Sequence, residues 1–192
     1  MLQIYRERLT PDADAAYEPI EEETARLAAS LGCPHPYLAA ELRAGATEVW
    51  WFNGFESPAD RQRVADRYAA NAPWMAALTR NSERKSPLTI DPIDAIATYR
   101  PDLTSGVPWI LGRGRFLAVA LARATDAAPA GTVFDAPNGT RFVVTPAQTR
   151  EEADAASMPA GAERFVLAVR PSFSFPAHEW IAADPDFWRT KR

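Results

Sequence analysis

Apolar positions alternate with a period of two at the N-terminus, then recur every three to four residues. Leu2 to Leu9 predicts a strand ending at Thr10-Pro11-Asp12. That triplet predicts a helix start, with Thr10 as cap, Pro11 at the first helical position and Asp12 near the positive end of the helix dipole. Tyr17, Ile20, Thr24, Leu27, Ala28 and Leu31 then form an amphipathic stripe, which Gly32 ends. On this helix the run Glu21-Glu22-Glu23 reads as a solvated face. Cys33-Pro34-His35-Pro36 is a rigid connector. Tyr37 to Arg43 and Thr47 to Glu56 predict two strands joined at Ala44-Gly45-Ala46 as an antiparallel hairpin. Ser57-Pro58-Ala59-Asp60 is a second helix start, followed by the stripe Val64, Ala65, Tyr68 and Ala72. Pro73 interrupts that helix, and Trp74, Met75 and Leu78 continue on a short last one. Ser86 to Pro92 reads as a linker and Ile93 to Arg100 as a fourth strand. The order β-α-β-β-α-β predicts an antiparallel sheet with both helices on one face, the ferredoxin-like arrangement.

The second half is less regular. Asp102 to Gly114 is rich in loop-forming residues. Phe116 to Ala124 is a strongly apolar strand. Two apolar runs, Thr132 to Phe134 and Arg141 to Val144, flank Pro137-Asn138-Gly139, a strong hairpin signal. Thr149 to Ser157 predicts a helix, Phe165 to Arg170 a strand, and Ala177 to Trp188 a closing helix broken by Pro185. The domain reading is a ferredoxin-like α+β unit over 1–100, a linker over 101–114, and a second α+β half over 115–192. Ser57-Pro58-Ala59 and Ala72-Pro73-Trp74 after the third strand, and Phe175-Pro176-Ala177 and Asp184-Pro185-Asp186-Phe187-Trp188 after the Phe165 strand, suggest that this half is a degenerate repeat. Their spacings differ, so duplication and independent origin both stay open.

Composition sharpens this picture. Of 192 residues, 47% are hydrophobic, but 37 of those are alanine. Core bulk must therefore come from six Trp, five Tyr and nine Phe. The net charge of −4 argues against a general nucleic-acid binder. No apolar run has the length of a membrane span. One cysteine, Cys33, excludes an internal disulfide framework, and Met1 to Thr10 has no continuous apolar stretch of the signal-peptide kind. These features predict a cytoplasmic globular protein. Arginine outnumbers lysine 19 to 2, which together with abundant alanine and proline reads as GC-rich codon bias rather than phosphate recognition.

From Glu48 to Ser57 an aromatic strand, Val49-Trp50-Trp51-Phe52-Asn53-Gly54-Phe55, runs into a capped helix containing Arg61-Gln62-Arg63-Val64. Pro73-Trp74 and the segment Leu88 to Pro92 follow. Over residues 1–100 this pattern resembles the NIPSNAP-like and antibiotic-biosynthesis-monooxygenase-like members of the dimeric α+β barrel superfamily. The resemblance implies two ferredoxin-like sheets packed face to face, from two chains or from tandem halves of one. It also implies room for a small hydrophobic ligand, and activities ranging from cofactor-free oxygenases to haem enzymes. A haem protein of this kind would want a histidine on the helix beside the sheet. Pro58 to Arg84 contains none, so no cofactor is expected.

The residues themselves carry a matching argument. Val49, Trp51, Asn53 and Phe55 point to one face of the third strand; Glu48, Trp50 and Phe52 point to the other. Both faces carry large aromatics, so both need a cover. Helices supply one. The other must be a partner chain, the second half or a ligand, and a homodimer is the expected assembly. Asn53 is the most informative polar residue, a hydrogen-bond donor for a ligand oxygen beside Trp51, with a turn at Asn53-Gly54 as the ordinary alternative. Tyr5, Tyr37 and Tyr99 lie on other predicted strands and could orient a ligand, though tyrosine is also a common structural aromatic. No motif identifies a catalytic residue. His35, His178 and Cys33 lack partners at metal spacing, and Cys33 reads as a small packed residue. Gly112-Arg113-Gly114-Arg115 reads as a flexible entry to the next strand, and Asn138-Gly139-Thr140 as a hairpin turn. The expected function is small-molecule binding, with cofactor-independent oxygenation or isomerisation of a hydrophobic compound as its chemistry. The rival is a non-catalytic dimerisation or interaction protein of the same fold.

Overall fold

The structure, a computed structural model, describes residues 1–105, 110–126 and 130–189. Its strands are β1 (Leu2–Leu9), β2 (Leu38–Ala44), β3 (Ala46–Gly54), β4 (Thr89–Tyr99), β5 (Phe116–Arg123), β6 (Thr132–Asp135), β7 (Thr140–Ala147) and β8 (Glu163–Val169). Its helices are α1 (Asp14–Ser30), α2 (Pro58–Ala70), α3 (Ala72–Lys85), α4 (Arg150–Ala155), α5 (His178–Ala183) and α6 (Pro185–Arg189). The strands close into one antiparallel barrel in the order β1-β3-β2-β8-β5-β7-β6-β4.

Local chemistry explains most boundaries. Ser57 accepts a hydrogen bond from the Asp60 amide at the start of α2, and Thr149 forms a full capping box with Glu152 at α4. Asn71 separates α2 from α3 and accepts from the Trp74 amide, so the break falls just before Pro73. Gly139 sits at φ +84° in the turn between β6 and β7, where a left-handed residue is required.

Two boundaries depart from the sequence expectation. Thr10-Pro11-Asp12 is a turn rather than the first turn of a helix. Asp12 has φ +62°, the Thr10 amide bonds to the Leu88 carbonyl, and α1 begins at Asp14 without a side-chain cap. The expected linker Ser86 to Pro92 is instead a single 3-10 turn, Ser86–Leu88, followed by the first residues of β4. Pairing with β1 recruits Thr89 and Ile90, and a register shift between Arg6 and Arg8 absorbs the Asp91-Pro92 irregularity. Of the segment expected as a linker, 106–109 lie outside the described residues.

The barrel interior carries the main core. β3 pairs with β1 from Leu2↔Gly54 to Arg8↔Glu48 and with β2 from Leu38↔Phe52 to Ala44↔Ala46. Its inward side chains Trp50 and Phe52 are buried with Leu2, Ile4 and Leu38, and they meet Leu117, Phe134, Phe142, Phe165 and Leu167 from the second half. Trp50 and Phe165 stand 4.9 Å apart. The second half is therefore the cover for the Trp50 face. Small residues make room for large ones across the ladder: Ala40 opposes Trp50 and Ala39 opposes Trp51. This is how an alanine-rich chain accommodates its tryptophans.

The two halves meet along short seams. β2 and β8 share Ala40↔Val169 and Glu41↔Ala168; β4 and β6 share Thr98↔Asp135 and Tyr99↔Phe134. Polar contacts reinforce both. Arg170 pairs with Glu41 and Glu18 at the first seam, where Ser174 also accepts from the Ala39 amide at 2.9 Å. Arg100 pairs with Asp135 at 2.6 Å at the second.

Outside the barrel, α1 and α3 cover the first half, while on the second half α4 packs its Ala153 against Ala118 and Ala147. Gly112 is a tight packing point and not a flexible entry: a Cβ there would stand 2.2 Å from the Trp180 ring. Among the described residues no helix is long and apolar enough to cross a membrane.

Replacing Trp50 by alanine empties the centre of the interior. The expected cost is about 3–5 kcal/mol of unfolding free energy, measured by urea denaturation of wild type and W50A.

Candidate functional site

The outward face of β3 builds a different environment. Val49 and Trp51 pack with Tyr17 and Ala28 of α1 and Trp74 of α3. Near Asn53 the helices stand off the sheet and leave a cavity of about 500 Å³. Trp51, Tyr68, Trp74, Met75 and Leu78 form its apolar walls, and Tyr5, Glu21, Tyr37, Asn53 and Lys85 supply polar atoms. The Tyr5 and Trp51 rings are 5.6 Å apart, and those of Tyr68 and Trp74 are 6.3 Å apart.

Four of the five residues singled out in the sequence thus line one cavity: Tyr5, Tyr37, Trp51 and Asn53. Asn53 lies in regular pairing with Gln3, so it is neither a turn nor a bulge residue. Tyr37 is buried with its hydroxyl unpartnered, and burial pushes that phenol far above its ordinary range. Tyr99 is elsewhere. It packs on the interior core, 5.7 Å from Phe134, and reaches the barrel end beside His35 and Trp180. The alternation of β4 places Ala95, Ala97 and Tyr99 inward, opposite to the cavity.

The side chains that sequence reading missed are charged and buried. Glu21, expected on a solvated face, is 2% exposed, and its Oε1 lies 2.7 Å from Lys85 Nζ at the end of α3. Glu7 of β1 is also buried. It accepts from the Tyr5 hydroxyl at 2.9 Å and the Tyr17 hydroxyl at 2.8 Å, with Lys85 at 3.4 Å. Lys85 stands 4.9 Å from the Trp51 ring, a cation–π contact. Burial pushes the Glu21 carboxyl above its ordinary value of 4.5; Lys85 opposes the shift and Glu7 adds to it. Burial works against the Lys85 ammonium, yet the two carboxylates outweigh it and hold the amine above its ordinary range. A signal for Glu21 existed: it shares the 17, 21, 24, 28 face of α1 with Tyr17, Thr24 and Ala28. The acidic run masked it. Lys85 and Glu7 carried no comparable signal.

The remaining candidates are structural. Cys33 hydrogen-bonds with the Tyr68 hydroxyl and the His35 carbonyl, both at 3.2 Å, and burial raises its thiol. His35 stacks on Phe55 at 4.6 Å, and burial lowers its imidazole. Among the described residues no group of three or more His, Cys, Asp or Glu side chains could hold a metal ion.

No family model matches this chain, and no curated protein matches it by sequence. A solved structure from Fusobacterium nucleatum subsp. nucleatum, described as a "Putative monooxygenase", is similar to it in fold with a TM-score of 0.54. The match covers 88% of this chain and 91% of that one at 10% identity. The shared feature is the fold alone.

Glu21 leads to a pH prediction. Because folding raises its pKa, the native state holds a proton there that the unfolded chain releases near pH 4.5. The associated stability is fully present below that pH and is lost as pH rises through the folded value. Glu21→Gln removes this loss, so its Tm relative to wild type should increase above pH 4.5. Thermal melts of both proteins across the pH range check this; a constant difference would contradict it.

Proposed function

We propose that this protein binds a small hydrophobic compound in the cavity between β3 and the helices, and that its chemistry is cofactor-independent oxygenation or isomerisation. The observation that carries this reading is the wall composition. Aromatic rings converge with the Asn53 side-chain amide, which makes no side-chain hydrogen bond among the described residues, and with a buried Glu21–Lys85 pair. An apolar cavity with a few converging polar groups is the usual form of a small-molecule site. In this reading Trp51 and Tyr5 stack against the ligand, Asn53 hydrogen-bonds a ligand carbonyl or hydroxyl, and Tyr37 orients it.

The finer fold assignment belongs to the same proposal. The orders β4-β1-β3-β2 and β8-β5-β7-β6 are one permutation used twice. We read them as two ferredoxin-like halves fused in one chain, of the NIPSNAP-like or antibiotic-biosynthesis-monooxygenase-like type. Only residues 124–131 connect β5 to β6, where the first half places the 17-residue helix α1 between β1 and β2. The name of the Fusobacterium protein is compatible with an oxygenase reading, which rests on the cavity and not on that name.

One observation favours the interaction-protein reading. β4 pairs with β6 only at Thr98 and Tyr99, and Ile90 and Ile93, on the part of β4 that pairs with β1 alone, are exposed. Native mass spectrometry separates the two. The expected result is protein carrying a non-covalent small mass, with Asn53→Ala folded to the same extent by circular dichroism but depleted of that mass. A ligand-free dimer, unchanged by Asn53→Ala, would sink the binding reading in favour of the interface.

A further inference from the structure

The charges around the cavity do not balance. Once Glu21 is ionised, Glu7, Glu21 and Lys85 place two carboxylates and one ammonium in a poorly solvated space, and Lys85 is the one basic residue among the described cavity-lining side chains. Glu7 is fully engaged, by two tyrosine hydroxyls and the lysine. Glu21 is the less supported acid. Its firm contact is Lys85, with the Tyr17 hydroxyl close by but given to Glu7. Tyr5 and Tyr37 face the same space; the Tyr5 phenol is raised by burial and then chiefly by Glu7, and the Tyr37 phenol by burial and then by the Glu21 charge. The groups facing Glu21 are therefore Lys85 from α3, Glu7 and Tyr5 from β1, Tyr17 from its own helix and Tyr37 ahead of β2.

Two consequences follow. A ligand with a permanent negative charge would add to an existing surplus, so the cavity disfavours carboxylates and phosphates. A neutral ligand with an acidic hydroxyl can instead carry the surplus away from Glu21. The identity of residue 85 agrees with this. In a chain with 19 arginines and two lysines, this position holds the compact, point-charge cation.

We propose, building on the small-molecule reading above, that the ligand is a neutral planar hydroxy-aromatic or enolisable compound, that Glu21 takes its proton, and that Lys85 faces the oxyanion so formed. The ligand O–H bond breaks and a Glu21 O–H bond forms. The electron pair stays on the ligand oxygen, and the total charge of the cluster is unchanged. Return of the proton to the same oxygen or to a conjugated carbon completes an exchange or a tautomerisation without any oxidant. A carboxylate made more basic by burial suits this transfer better than an exposed one does.

4-Nitrophenol is a direct probe, because its phenolate absorbs at longer wavelength than the phenol. 4-Nitrobenzoate is its anionic counterpart. Wild-type protein is titrated with each, following tryptophan fluorescence for binding and visible absorption for ionisation of 4-nitrophenol. The expected result is that 4-nitrophenol binds with a phenolate fraction several-fold above that of free probe at the same pH, while 4-nitrobenzoate binds about tenfold more weakly or worse, the equivalent of one pKa unit of repulsion. Glu21→Gln should still quench fluorescence but lose the phenolate excess, and its preference against 4-nitrobenzoate should shrink. Lys85→Met should reduce the phenolate excess about tenfold, one pKa unit. An infrared difference spectrum of wild type should show the carbonyl stretch of a protonated carboxyl on binding, a readout independent of any variant. An unchanged phenolate excess in Glu21→Gln, or no new carboxyl band, overturns the proton transfer while leaving the cavity reading intact. Equal binding of the two probes overturns the neutral-ligand assignment. Binding of neither probe by wild type overturns the cavity reading and this inference with it.

Discussion

A sheet with bulky aromatics on both faces must be covered on both, and the rest of this molecule follows from that constraint. Trp50 and Phe52 point one way from β3, Val49 and Trp51 the other. Leaving either face in water would forfeit roughly 1.5–3 kcal/mol for each large side chain. The second half answers the first demand by closing the barrel over Trp50, and α1 and α3 answer the second. The two solutions differ in quality. The interior is filled by interlocking side chains from eight strands. The outer face is spanned by rigid helices that cannot follow the sheet at every point, and the space they leave beyond Trp51 is the cavity.

That cavity sits where stability alone would not place it. A buried set of two carboxylates and one lysine carries a desolvation penalty that apolar residues of the same volume avoid. Tyr5, Tyr17 and Lys85 offset much of it at Glu7, but Glu21 keeps an uncompensated part, visible as its raised pKa. Among the described residues of the second half no buried lysine with two carboxylates is found. The outer face of that half carries the small residues Ala118, Ala120 and Ala147, and the short helix α4 packs there through Ala153.

Periodicity and caps made most of the architecture legible in advance. The Asn138-Gly139 turn, the Ser57 and Thr149 caps and the interruption near Pro73 are local signals, each satisfied within a few residues of chain. Opposed side chains on a strand are likewise local, so the sharing of one outward face by Trp51 and Asn53 followed from the two-residue repeat. The errors came where a distant partner decided. Thr89 and Ile90 became strand because β1 was there to pair with them, and Asp12 turned left-handed because the Thr10 amide reaches Leu88.

The sequence by itself determined the βαββαβ order of the first half, the two-faced aromatic strand and four of the residues that line the cavity, because these depend on periods of two and 3.6 residues. Only the tertiary structure decided that the second half covers the Trp50 face and that Tyr99 turns inward. It alone also decided that Glu7 and Glu21 meet at Lys85, beside the cavity. Those three residues are 14 and 64 positions apart along the chain. Their charges acquire an unusual environment only when strand, first helix and third helix pack together, and no local pattern encodes a dielectric that the fold creates.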